Sequence, residues 1–153
     1  MLRRIRQLPR NERRELWPAL WRLAFVRLSL LASGIRPTLE RCGGTLPRPE
    51  SALSEDDLAL WGRRALALRR VGRFLPQVHC LARSLALRWW MRSHGIHARI
   101  SIGVRKCNDA IDSHAWVVVS DTPVDERPEV VAQYSVIQTD SDAAIVDGLA
   151  SIK

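Results

Sequence analysis

The chain is short of cysteine and almost without lysine. Its three cysteines, Cys42, Cys80 and Cys107, are an odd number with no CxxC spacing, so neither a disulfide framework nor a zinc ribbon is suggested. A reducing, cytoplasmic setting is the expectation that follows. Only Lys106 and Lys153 are lysines, so the formal net charge of +8 and the pI near 10.8 rest on arginine. Such a surface favours an acidic peptide, a protein, a nucleic acid or an anionic membrane, and charge alone does not choose among them. No short apolar core with a small-residue cleavage site follows the basic N-terminus, so no signal peptide is read. The most apolar stretch, residues 19–33, is broken by Arg22 and Arg27 and falls short of the roughly 20 residues that span a bilayer. Internal repeats and low-complexity tracts are also missing. With 153 residues, one domain burying about two-thirds of its unfolded surface is expected.

What is present reads as helices first and strands afterwards. Residues 11–33 place Trp17, Leu20, Trp21, Ala24, Leu28 and Leu31 on one face, with Arg13, Arg14, Arg22 and Arg27 largely off it. The pattern predicts an amphipathic helix capped by Asn11, with Pro18 near its first turns and Gly34 at its end. Its apolar face is expected to dock on the core, with peripheral membrane contact as the alternative. Residues 35–49, with Pro37, Gly43, Gly44, Pro47 and Pro49, read as a loop. Ser54 and Asp57 form a capping-box variant opening a second helix with Leu58, Trp61, Ala65 and Leu68 at helical spacing. A break at residues 72–76 precedes a third helix over residues 77–94, stopped by Gly95, whose inward face carries Cys80, Leu81, Ser84, Leu85, Leu87 and Met91. Beyond it, residues 97–105 alternate as a half-buried strand, residues 114–119 form a continuous apolar strand ended by a turn over residues 120–123, and residues 130–138 suggest a third strand. This order predicts an α+β fold, with an antiparallel sheet packed on the cysteine helix.

Cys80 and His114 carry the chemistry. Cysteine is often simply buried, and a histidine opening an apolar strand is ordinarily a satisfied core residue. Together, a thiol at a helix start and an imidazole on a neighbouring strand make an activated nucleophile, because the helix N-terminus and a protonated ring both favour thiolate. A third group should then orient the ring, and the acidic candidates just downstream are Asp121, Asp125 and Glu126.

The strings CLARSLAL from Cys80, HGIHARISIGV from His94 and SHAWV from Ser113 together resemble the leader peptidase of lasso-peptide biosynthesis, a member of the transglutaminase-like, papain-related superfamily. The likeness covers roughly residues 75–137. It implies a transglutaminase-like cysteine protease fold, with residues 1–75 as a helical region of the same domain, 76–138 as the catalytic core and 139–153 as a C-terminal tail. It implies that Cys80 is the nucleophile and His114 the general base and acid. The family's aspartate follows a Pro-Val step, here Pro123-Val124, which sets Glu126 at that position and Asp125 one residue before it. Both stay open as the third member. The substrate implied is a precursor peptide with a leader segment. The implied partners are a separate leader-recognition protein, since residues 1–75 show no strand pattern for such a domain, and a macrolactam-forming cyclase. No cofactor and no nucleic acid are implied.

Other features are read more plainly. His94 and His97 with Cys107 lack tetrahedral zinc spacing. His79 is expected to face solvent, and Trp89, Trp90 and Trp116 to be aromatics buried beside the sheet. Arg63, Arg64, Arg69, Arg70 and Arg73 are read as a solvated basic face or a dock for an acidic leader or partner. The alternative to a peptidase is a basic, non-catalytic module binding nucleic acid or an acidic protein. A transglutaminase-like acyltransferase is a third reading.

Overall fold

A helix that is apolar nearly all round belongs at the centre of a fold. Residues Cys80–Arg92 form such a helix, with Ala82, Leu85, Ala86, Leu87, Trp90 and Met91 buried on every side. The computed structural model of the chain describes residues 9–42, 52–76, 78–108 and 110–138. In chain order these form α1 (Arg10–Ser33), α2 (Ile35–Cys42), α3 (Glu55–Gly72), α4 (Cys80–Arg92), β1 (Arg99–Cys107), β2 (Ala110–Val119), β3 (Thr122–Pro123), α5 (Pro128–Val131) and β4 (Ser135–Gln138). The class is α+β, with an antiparallel sheet of order β3-β2-β1-β4. Helix α4 lies between that sheet and the helices α1, α2 and α3.

Local chemistry sets the element ends. Ser54 caps α3, its Oγ accepting the Asp57 N–H at 3.2 Å while donating to the Asp57 carboxylate at 2.7 Å. Gly95, at φ 77°, lets the Ile96 N–H reach back to the Met91 carbonyl and stops α4. Ser120 and Asp121 both have positive φ and make a two-residue turn, so Thr122 and Pro123 pair as β3 rather than belonging to the turn. Ala98, just before β1, and Ile100 and Ile102 are buried as the alternation predicts, but Ser101 and Gly103 are buried as well and Val104 only partly, so β1 is covered on both faces rather than half-buried.

The structure corrects several expectations. Residues 35–42 are helical, not loop, because Pro37 sits in the first turn, where a missing N–H costs nothing, and Thr38 Oγ1 donates to the Gly34 carbonyl at 2.7 Å. The remainder of that predicted loop, and the tail 139–153, lie outside the described residues. Helix α1 starts at Arg10, ahead of Asn11, with no side-chain cap. Its inward face is Ala19, Leu23, Val26 and Ser29, whereas Trp17, Trp21, Leu28 and Leu31 of the predicted core face are exposed. That face packs against α3 and α4, with Leu16, Leu20 and Leu30 partly buried along its flanks. Helix α4 begins at Cys80, and Leu81 is only partly buried. Strand β2 begins at Ala110, because the β1–β2 hairpin continues to Cys107↔Ala110. Residues 130–138 are not one strand: Pro128 opens the short helix α5, and only Ser135–Gln138 pair with β1.

The reversed face of α1 has a measurable consequence. In urea denaturation, Leu23→Ala should cost about 2–5 kcal/mol, as for a buried leucine, and Leu28→Ala should stay within about 0.5 kcal/mol. Equal losses from the two changes would refute this orientation.

Candidate active site

The N-terminus of α4 meets the middle of β2, and there the two residues singled out in the sequence come together. The Cys80 thiol, half-buried, is hydrogen-bonded to the His114 ring, and the backbone N–H groups of Leu81 and Ala115 donate to its sulfur. On the other side of the ring, His114 Nε2 lies 3.1 Å from Glu126 Oε2, which leaves Nδ1 for the thiol. The His114 and Glu126 side chains are only 16% and 14% exposed. Glu126 is held in turn by Arg69 of α3, whose Nη2 donates to Oε2 at 3.3 Å and to the Asp125 carbonyl at 2.7 Å. Cys80, His114, Glu126, Arg69 and Arg83 line one small cleft.

Asp125 faces the opposite way. Its Oδ1 accepts the Val117 N–H at 2.7 Å, and its Oδ2 lies 3.3 Å from Ser84 Oγ. Ser84 is fully buried one turn after Cys80, with its Oγ 3.0 Å from the Ala115 carbonyl. Of the two acids the sequence left open, Glu126 touches the imidazole, and Asp125 ties α4 to β2 behind it. Asp121, the remaining candidate, is on the surface, bonded to Arg99.

A sequence model of the transglutaminase-like superfamily matches residues 22–139. The chain belongs to that superfamily. The match begins within α1, so it takes in the helices as well as the sheet. Neither curated proteins nor solved structures yield a match.

In this transglutaminase-like domain the charges favour an ion pair. Burial pushes the Cys80 thiol up, but the hydrogen bonds from His114, Ala115 and Leu81 outweigh it and hold the thiol below its ordinary value. The bond to Cys80 raises the His114 imidazole, against the effect of burial, and Glu126 adds to the rise. Glu126 is itself kept low, because Arg69, the Arg127 N–H and His114 together overcome its burial. All three shifts run toward thiolate, imidazolium and carboxylate in a row.

The wall beside the ring is aromatic. The His114 ring stacks on Trp116, with centroids 6.0 Å apart, and meets Tyr134 at 5.4 Å. Gly103, opposite His114 in the β1–β2 register, makes room for this: a Cβ there would lie 2.8 Å from both Trp116 Cη2 and Tyr134 Cβ. The Tyr134 hydroxyl donates to Asp112, which also accepts from Arg105.

Sequence reasoning missed Arg69 and Ser84 as parts of the site. The signal for Ser84 was its i+4 spacing from Cys80, which puts both on one helix face. Arg69 was grouped with a basic face, yet Arg64, Arg69 and Arg70 are paired with Glu15, Glu126 and Glu12, so that face is not simply solvated. His79 is exposed, His94 packs against Trp61, and Trp90 and Trp116 are buried whereas Trp89 is partly exposed. Among the described residues no group of three or more His, Cys, Asp and Glu side chains is placed to hold a metal.

Burial raises the Asp125 carboxyl to about 6 despite the Val117 N–H. A folded pKa above the unfolded value of about 3.9 means that this group's contribution to stability is full below that value and is lost as pH rises through about 6. An asparagine keeps both contacts, accepting from Val117 and donating to Ser84. Asp125→Asn should therefore be at least as stable as wild type at neutral pH, with a weaker fall in stability between about pH 4 and 6. Denaturation at both pH values checks this, and a loss above about 2 kcal/mol at neutral pH would contradict it.

Proposed function

We propose that the protein is a cysteine peptidase that cuts the leader from a ribosomally made lasso-peptide precursor. The observation that carries the reading is the chain of contacts from the Cys80 thiol through His114 to Glu126, in a chain whose motifs resemble the leader peptidases. Cys80 is the nucleophile, His114 the general base and acid, and Glu126 the group that orients and charges the ring. Asp125 has a positioning role through Ser84 and β2.

The Cys80 thiolate attacks the carbonyl carbon of the last leader residue, and the carbonyl π electrons move onto oxygen. Backbone N–H groups at the start of α4 are the natural donors to that oxyanion. As the tetrahedral intermediate collapses, the C–N bond breaks and His114 gives its Nδ1 proton to the departing amine, which becomes the free N-terminus of the core peptide. Water then gives a proton to His114 and attacks the thioester. Cys80 leaves as thiolate, and the leader is released as a carboxylic acid. A separate recognition protein would present the leader, and a separate cyclase would use the freed amine.

Incubation with a lasso precursor and its recognition protein, read by mass spectrometry, tests the proposal. Wild type should give two fragments whose masses sum to precursor plus one water. Cys80→Ala should lower cleavage by at least about 10³-fold and Glu126→Ala by on the order of 10²–10⁴-fold, whereas Asp125→Asn should retain most activity. Cleavage undiminished by Cys80→Ala would overturn the peptidase reading, and a product joined to an amine would make the enzyme a transferase.

A further inference from the structure

Most of the α1 face that sequence patterning directs to the core is left bare by the described residues, although Leu20 packs on the core. Trp17, Trp21, Phe25, Leu28 and Leu31 follow one another along it and are 73%, 44%, 40%, 64% and 65% exposed. Toward the N-terminus the same side carries Arg10, Arg13 and Arg14, all exposed, which fall within about 60° of Trp17 on a helix turning 100° per residue. The acids of α1 are on the other side. Glu12 and Glu15 turn toward α3 and pair with Arg70 and Arg64. The outward face of α1 is therefore apolar and cationic, with no carboxylate of its own.

The aromatic part of this face is braced from beneath. The Arg22 guanidinium lies over the rings of Trp21, Trp89 and Trp90, at 5.1, 5.7 and 4.6 Å from their centroids. Trp89 in turn meets Trp21 and Phe25, each at 5.2 Å between centroids. The side chains are thus held outward at a packed surface.

An exposed apolar patch of this extent marks a binding surface. Its shape and charge narrow the occupant. The stripe from Trp17 to Leu31 runs about 21 Å along one side of a single helix. Tryptophan, phenylalanine and leucine beside arginines is the make-up of helices that lie in a lipid interface, where the rings sit at headgroup depth and the guanidinium groups meet anionic lipid. We propose that this face of α1 docks the protein on an anionic lipid surface, with Trp17, Trp21, Phe25, Leu28 and Leu31 entering the headgroup–acyl boundary and Arg10, Arg13 and Arg14 meeting the lipid charge. Among the described residues no helix is long and apolar enough to cross a membrane, so the attachment is peripheral.

Co-sedimentation of the full chain with vesicles tests this, comparing phosphatidylcholine mixed with phosphatidylglycerol against phosphatidylcholine alone. The protein should pellet with the mixed vesicles, remain largely in solution with the neutral ones, and be released by high salt. The double variant Trp17→Ser, Leu28→Ser and the triple variant Arg10→Gln, Arg13→Gln, Arg14→Gln should each bind the mixed vesicles more weakly, by at least about tenfold for the first and on the order of 10²-fold for the second. Their thermal melting should match wild type, because these side chains are exposed. Wild type that ignores both kinds of vesicle, or binds them equally, overturns the proposal. So does a dimer of the chain that the serine variant breaks in the absence of vesicle binding, which would make the face a protein interface.

Discussion

Helix α4 and strand β2 come from separate parts of the chain, and their relative placement decides whether Cys80 and His114 can touch. The contact is pinned one helical turn further on. Ser84 Oγ, buried, lies within hydrogen-bonding distance of the Ala115 carbonyl on β2, and the Asp125 carboxylate spans Ser84 and the Val117 N–H. A one-residue slip of β2 would send His114 to the other face of the sheet and bring Ala115 or Ser113 to the thiol. The polar latch inside the core therefore serves the geometry of the site, and it lies directly behind it.

Adjacent acids with opposite tasks follow from that arrangement. Residues 125 and 126 follow β3 in sequence, and one turns inward while the other reaches the imidazole. The inward carboxyl is desolvated and holds its proton more tightly than usual. The outward one has a guanidinium beside it and stays ionised more readily than usual. A glutamate has one more rotatable bond than an aspartate, and Arg69, which bonds both the Glu126 carboxylate and the Asp125 carbonyl, restricts that extra freedom. Environment, rather than residue type, separates the two carboxyl groups.

Much of this was legible in the sequence, for local reasons. The Ser54 cap, the Gly95 stop and the alternation from Ala98 to Val104 are short-range signals, and the cap, the stop and the strand form, although β1 is buried on both faces rather than one. The α+β class followed from element order. The thiol and imidazole were legible as a pair because their types and neighbours carried a family likeness. What failed depended on tertiary packing. Nothing local shows that α1 buries its Ala19 and Leu23 side and exposes its tryptophans, nor that Arg69 reaches Glu126 from 57 positions away. The choice between Asp125 and Glu126 likewise rested on which way a short segment turns after β3, and that is set by Val117 and Ser84.

The central claim is that Cys80 and His114 form a thiolate–imidazolium pair steadied by Glu126. Nitrogen NMR of the His114 ring across a pH titration reads this directly. The account predicts a ring that keeps both protons above the ordinary histidine value of about 6.5, and that drops toward that value in Cys80→Ala. A ring already neutral near pH 6.5 in the wild-type protein, and unmoved by removal of the thiol, would contradict it.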